Sequence, residues 1–379
     1  GKFMKVVKIR SKPLLVPYKK PYYWAQGTID GACVVLVEIL TDEGITGFGE
    51  CVGTPTADGI RAFIAEAGRF IVGHDPFTNA RLMAEAYHSL FKERGTGSAP
   101  RFAGQVFAGI EMALWDIMGK ATGRPVHSLL GGALHNEISY FGFPQGETAE
   151  EIAAEARRFA NDGHDVIYIK VGKGDETDLE IVRQVRDAIG PDLRLRLDPN
   201  EHWNPLIASR MMAKLAKFNI EFVEQPTDCE SLSALAQVRA KSPIAIAADQ
   251  CVFTPYDVYD VCRAQAADLI VIGLHETGGI TRFIKSARIA EAAGINICIH
   301  GLYETGITTC ATYQAAAVLP NLDDGNQYMN HFLAWDVIES PDIGLRNGKM
   351  AMLWGPGLGF ELNLDAVARA HELYNKQVI

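Results

Sequence analysis

Short apolar runs, each closed by a polar residue or a glycine, recur through the middle of the chain. Each is followed by a stretch with helical spacing of its apolar positions. Strands are expected at 166–170, 193–198, 220–224, 244–249, 269–273 and 295–300, and helices at 177–189, 205–217, 230–240, 255–265, 280–293 and 306–318. The closing residues are Lys170, Asp198, Glu224, Asp249, Gly273 and His300, in steps of 24 to 28 positions. A strand, a helix and their connections occupy about that length. Near-continuous apolar runs belong to parallel strands covered by helices. The pattern therefore predicts an α/β barrel with these residues at the C-terminal rim, where barrel enzymes assemble their active sites.

The pattern before about residue 137 is different. A run at 34–39, the turn Thr41-Asp42-Glu43-Gly44 and a second run at 46–50 make a hairpin, and helical spacing covers 57–72, 76–91 and 105–121. Strands followed by helices imply a small α+β domain. The stretch 95–101 reads as a connector, and the chain beyond about 320 as irregular until a last helix near 364–376. The expected division is 4–130 as the α+β domain, 131–325 as the barrel and 326–379 as a tail packing back on the first domain.

Composition narrows the function mainly by exclusion. With 48% hydrophobic and 22% charged residues, the 379-residue chain has the profile of a soluble globular enzyme. A formal net charge of −10 argues against nucleic acid or an anionic membrane as a partner. The seven cysteines form no CxxC pair, which fits reduced thiols and a cytoplasmic location. No apolar stretch is long enough to span a membrane and no signal peptide is read; Gly1-Lys2-Phe3 before Met4 reads as a remnant of expression.

The chemistry lies in three acids. Asp198 and Glu224 stand 26 residues apart (224 − 198), and Glu224 and Asp249 25 apart (249 − 224), so matched βα units bring three carboxylates to one rim. Converging carboxylates repel and are costly to bury unpaired. A hard divalent cation, Mg²⁺ in the first instance and Mn²⁺ as a substitute, holds them together most simply. Singly, each acid reads equally well as a helix N-cap; the matched spacing of all three carries the metal reading.

In this order and spacing, several motifs identify a likeness. They are Gly109-Ile110-Glu111-Met112-Ala113-Leu114-Trp115-Asp116, Gly131-Gly132, Lys170-Val171-Gly172, Asp198-Pro199-Asn200, Glu224-Gln225-Pro226, Asp249, Gly278-Gly279-Ile280-Thr281 and Gly355-Pro356-Gly357-Leu358-Gly359. With them the chain resembles the enolase superfamily, in its mandelate racemase and muconate-lactonizing branches, over nearly its whole length. The resemblance implies a modified (β/α)7β barrel under an α+β capping domain that the C-terminal tail completes. It implies Mg²⁺ on Asp198, Glu224 and Asp249, and a first step in which the proton α to a carboxylate is removed. It also implies a homo-oligomer, a dimer or an octamer.

The chain departs from the family around that core. Relatives with Lys-x-Lys on the second barrel strand match Tyr168-Ile169-Lys170 here, so Lys170 is kept and Tyr168 replaces the other lysine. Gly273 stands where relatives carry an opposing lysine or an aspartate. His300 matches the base of the His-Asp relatives without that aspartate, and His275 or Glu276 is a candidate to orient it. Lys170, His300 and Tyr168 are the catalytic candidates; Glu304, Tyr22, Trp24 and His202 are candidates to touch substrate. The expected reaction is dehydration of a sugar acid. The alternatives are a racemase, epimerase or lactone cycloisomerase sharing the first step, or a barrel that binds a ligand without turning it over.

Overall fold

The computed structural model describes residues 3–24, 26–94 and 99–377. Its N-terminal unit is a three-stranded antiparallel sheet in the order β1 (Val6–Trp24), β2 (Gly27–Thr41), β3 (Thr46–Val52). The helices α1 (Ala57–Gly68), α2 (Asn79–Tyr87) and α3 (Pro100–Thr122) follow. The hairpin turn falls where its sequence predicts. The 19-residue β1 does not follow from pattern, because Pro13 and Pro17 interrupt it. It is an edge strand, where prolines cost no ladder bond. Of the expected connector 95–101, residues 95–98 lie outside the described residues, and α3 already begins at Pro100.

After the one-turn helix α4 (Val126–Leu129) and the short β4 (Glu137–Ser139), the barrel alternates strand and helix. Its elements are α5 (Ala149–Asn161), β5 (Val166–Lys170), α6 (Asp175–Ile189), β6 (Arg194–Asp198), α7 (Pro205–Leu215), β7 (Ile220–Glu224) and α8 (Leu232–Lys241). They continue with β8 (Ala245–Ala248), α9 (Pro255–Ala264), β9 (Leu269–Ile272), α10 (Leu274–Thr277), α11 (Ile280–Ala292), β10 (Asn296–Ile299) and α12 (Gly306–Ala316). The strands form one parallel ladder in the order β10-β9-β8-β7-β6-β5. Helix starts are written locally: Asn204 and Thr254 cap α7 and α9, each with proline at the first position, and Thr254 and Asp257 form a capping box.

Two irregular segments complete the ring. Gly142 bridges Ile167 and Tyr140 bridges Asn326, while Leu322 bridges Ile297, all parallel. The closing segment therefore runs across the position expected as the barrel–tail boundary. It is polar and short, Leu-Asp-Asp-Gly-Asn-Gln at 322–327, so no apolar run announces it. In the tail, β12 (Lys349–Ala351) pairs with β4, and β11 (Ile338–Ser340) with β13 (Glu361–Leu362). Helix α13 (Leu364–Gln377) returns to the first unit, where His371 Nδ1 lies 3.0 Å from the Pro13 carbonyl oxygen. No helix among the described residues is long and apolar enough to cross a membrane.

Candidate metal and acid–base site

Lys170, Asp198 and Glu224 are the last residues of β5, β6 and β7, while Asp249, Gly273 and His300 come one residue after β8, β9 and β10. The rim so formed holds Asp198, Glu224 and Asp249 with ligand oxygens within 4.8 Å of one another, all three buried. Their loops are tied down. Asn200 donates from its backbone N–H to Asp198 Oδ1 at 2.8 Å and from Nδ2 to Oδ2 at 3.2 Å. Gln225, in left-handed backbone at φ 38°, accepts from the Asp249 and Cys251 N–H groups at 3.0 and 3.3 Å.

The electrostatics of this cluster call for a cation. Burial, with the charges of Asp198 and Asp249, pushes Glu224 far above the carboxylate range. Burial raises Asp249 to about 6, with Asp198 adding to the rise and His300 opposing it. Asp198 stays low despite burial, because Lys170 lies beside it. Three hard oxygen donors, two of which burial and mutual repulsion drive toward protonation, fit a divalent metal ion of the Mg²⁺ type.

Lys170 and Tyr168 flank the acids on one side. Lys170 Nζ donates to Asp198 Oδ2 at 2.8 Å and to the Tyr168 hydroxyl at 3.0 Å. That hydroxyl lies against Asp198 Oδ2 and 3.1 Å from Glu224 Oε2. Burial, then the charges of Asp198 and Glu224, push the phenol well above its ordinary range, so it stays neutral. The Phe141 ring stacks on Tyr168 at 4.3 Å.

His300 stands on the other flank, with Nε2 3.8 Å from Asp249 Oδ2 and Nδ1 3.0 Å from Glu276 Oε1. Sequence comparison leaves this histidine without a partner at Gly273; the fold supplies Glu276 from α10. A β-carbon on Gly273 would collide with Glu276 Oε2, so the glycine makes room for the carboxylate. Burial disfavours the imidazolium, but Asp249 and Glu276 outweigh it and raise His300 to about 9. Reciprocally, Glu276 is held low by His300 despite its burial. The only signal in the sequence is an acid three residues past the expected place.

The remaining candidates divide. Glu304 is buried; its Oε1 accepts from Leu302 N–H at 2.7 Å and its Oε2 has no hydrogen-bond partner among the described residues. Burial, then the charge of Glu50, raise it well above the carboxylate range, which leaves it a neutral acid. Tyr22 is buried in an aromatic group with Phe143, Tyr303 and Phe332, at centroid distances of 5.6, 5.6 and 5.2 Å. Trp24 is half-buried, 6.4 Å from the Tyr303 ring. Tyr303 joins these rings to the His300 loop, a link the sequence does not show. His202 is not brought into the site. It is exposed, its Nδ1 lies 3.0 Å from the Asn200 carbonyl oxygen, and among the described residues no hydrogen bond or ion pair joins it to the acids. Consecutive left-handed residues at Asn200 (φ 45°) and Glu201 (φ 68°) turn the chain just before it.

Residues 7–131 match the family described as mandelate racemase / muconate lactonizing enzyme, N-terminal domain, and residues 151–366 match enolase C-terminal domain-like. The D-galactarolactone cycloisomerase of Agrobacterium fabrum is 30% identical over 380 residues, covering 96% of this chain and 98% of the relative. The muconate cycloisomerase 1 of Rhodococcus opacus is 32% identical over 378 residues, with the same coverage of 96% and 98%. A crystal structure of the dipeptide epimerase of Enterococcus faecalis, complexed with Mg and the dipeptide L-Leu-L-Tyr, superposes with a TM-score of 0.87 at 29% identity, covering 94% of this chain and 99% of that one. All three are isomerases by name, and none carries the expected dehydration.

Proposed function

The chain belongs to the mandelate racemase and muconate lactonizing enzyme family of the enolase superfamily, and from that premise we propose that it is a Mg²⁺-dependent isomerase of a small carboxylate. The observation that carries this reading is the presence of two proton-transfer groups on different flanks of one acidic cluster. Lys170 stands beside Asp198, and His300 beside Asp249. Removing a proton on one side of a carbon and returning one on the other needs such a pair. Opening or closing a lactone needs one such group at the α-carbon, since the ring oxygen leaves or enters as a carboxylate, and either Lys170 or His300 can serve.

Asp198, Glu224 and Asp249 would hold the cation, which when bound supplies Lewis-acid stabilisation for charge that builds on the substrate carboxylate. Glu276 fixes the His300 ring by its Nδ1, leaving Nε2 free to move a proton, and stabilises the imidazolium. Tyr168 holds Asp198 as a neutral phenol and is not itself the proton carrier in this reading. Glu304, as a neutral acid, is a donor for a substrate oxygen, and Tyr22 and Trp24 with Tyr303 form an aromatic wall. The charge on the rim balances: three acids against Lys170 and a divalent cation, and Glu276 against the His300 imidazolium.

The test is incubation of the Mg²⁺-loaded protein in D₂O with acid-sugar lactones, muconolactone and dipeptides. Metal-dependent deuterium exchange at the α-carbon, or interconversion without loss of water, is the expected result. Release of water to give a 2-keto-3-deoxy acid would favour the sugar-acid dehydratase, which the His300–Glu276 pair also equips as an acid for a β-leaving group. Absence of both would point to a ligand-binding barrel.

A further inference from the structure

The capping domain reaches the His300 side of the rim through one buried carboxylate. Glu50 on β3 is 0% exposed. Its Oε1 accepts from Thr305 N–H at 3.0 Å, Thr308 N–H at 3.3 Å and Thr308 Oγ1 at 2.6 Å, and its Oε2 accepts from Thr305 Oγ1. Thr305 is the N-cap of α12, and Thr308 stands at the third helical position, where a capping box would carry an acid. The helix lacks that acid and takes one from the other domain. Because Thr305 directly follows the segment 300–304, this contact fixes the far end of the loop that begins at His300.

A second contact leads to the neighbouring loop. Thr308 Oγ1 lies 2.9 Å from His275 Nε2. A hydroxyl has one proton, and Thr308 gives its proton to Glu50. His275 therefore donates from Nε2, which leaves Nδ1 bare, and Nδ1 is indeed buried without a hydrogen-bond partner among the described residues. Burial holds His275 down at about 4, so the ring is neutral. The next residue is Glu276, the partner of His300.

We propose that Glu50 is a positioning residue for the acid–base pair, holding the His300 loop through Thr305 and the Glu276 loop through Thr308 and His275. The proposal rests on the reading of His300 and Glu276 given above. A helix needing only a cap is served by a neutral side chain, whereas a fully buried carboxylate whose described partners are all neutral carries a desolvation cost. Burial raises Glu50 to about 7, with the bonds from Thr305 and Thr308 opposing the rise. The titratable groups around it are Asp336 on the tail, Glu304 and His275 on the barrel, Tyr18 on β1, Cys51 on β3 and Cys310 on α12.

Glu111 on α3 supplies the control. It too is a buried acid from the capping domain, accepting from the Ile280 and Thr281 N–H groups at 2.6 and 3.0 Å at the start of α11. Its other bonds, from Trp115 Nε1 at 2.7 Å and Thr281 Oγ1 at 2.8 Å, stay within α3 and the start of α11, and among the described residues none reaches His275 or Thr305.

The experiment is hydrogen exchange by mass spectrometry on the Mg²⁺-loaded full chain, wild type beside Glu50→Gln, Thr308→Val and Glu111→Gln. Glu50→Gln is expected to speed exchange about tenfold in both 273–277 and 300–305. Thr308→Val, which keeps the Thr305 bond, is expected to loosen mainly 273–277, and Glu111→Gln to act at 280–281 and spare both loops. With a carboxylate that the screen above shows to be turned over, Glu50→Gln is expected to lower kcat about tenfold with KM within about twofold, and to remove a limb of the kcat profile near pH 7. Unchanged exchange at 273–277 in Glu50→Gln, or equal loosening by Glu111→Gln, would reduce Glu50 to a helix cap. Exchange decides this even if the wild type turns over no compound in the screen, so failure of the isomerase reading is seen separately.

Discussion

Along one half of the barrel rim, from β5 to β8, each functional side chain is the last residue of its strand or the next one, and backbone register alone sets its direction. The other half is built differently. Gly273 closes β9 with no side chain, and the carboxylate in its place comes from Glu276, three residues on in α10. The loop after β10 begins with His300 and is held at its far end by Glu50 of another domain. The first half needs rigidity, since a cation site fails if three oxygens drift apart. The second half must place an imidazole that changes charge, and it does so through neighbours in loops. On the proposed reading, metal affinity and the His300 side of proton transfer fall to separable parts of one rim, while Lys170 stands beside the metal acids.

The sharpest way to break this comparison is to remove the acids. Asp198→Asn, Glu224→Gln or Asp249→Asn should abolish metal-dependent turnover. They should also remove the gain in thermal stability from Mg²⁺, which is about 2.7 kcal/mol for an intact site at a hundredfold excess over Kd. Calorimetric titration and melting curves check both. Substitutions on the proton-transfer groups should leave Mg²⁺ binding within a few fold while lowering kcat by about 10²- to 10⁴-fold, for Lys170→Ala and His300→Ala alike. A large loss of metal affinity in His300→Ala would show that the halves are not separable.

Smaller effects sharpen the contrast. Glu276→Gln should cost about 10- to 100-fold in kcat. Gly273→Ala should resemble it by displacing the same carboxylate, at an added stability cost of about 1–3 kcal/mol from overpacking. Glu50 makes the cap's share readable by pH. Its carboxyl is raised from 4.5 to about 7, so the folded state holds that proton more tightly than the unfolded chain. The resulting stability is fully present below pH 4.5 and is lost as the pH rises through 7, an effect on the order of 3 kcal/mol. Denaturant midpoints across this range should depend less on pH in Glu50→Gln. Smallest of all, His202→Ala should leave kcat and KM within about twofold of wild type.

Much of the molecule follows from the sequence, for a local reason. A buried parallel strand writes its own apolar run, and a capped helix its own start and spacing, so β5 to β10, most of their helices and the meeting of Asp198, Glu224 and Asp249 are legible without coordinates. Lys170 and His300 are legible as rim residues by the same count. Only the tertiary structure decided the rest. An edge strand tolerates the prolines that hide β1, and the irregular segments at 140–142 and 322–326 complete the barrel by single bridges to β5 and β10 and, 186 residues apart (326 − 140), to each other. The partner of His300 is Glu276, for which a glycine yields its space, and the far end of the His300 loop is bonded to a carboxylate 255 residues earlier in the chain. Periodicity records what a residue does within its own element; bonds between elements leave no period to read.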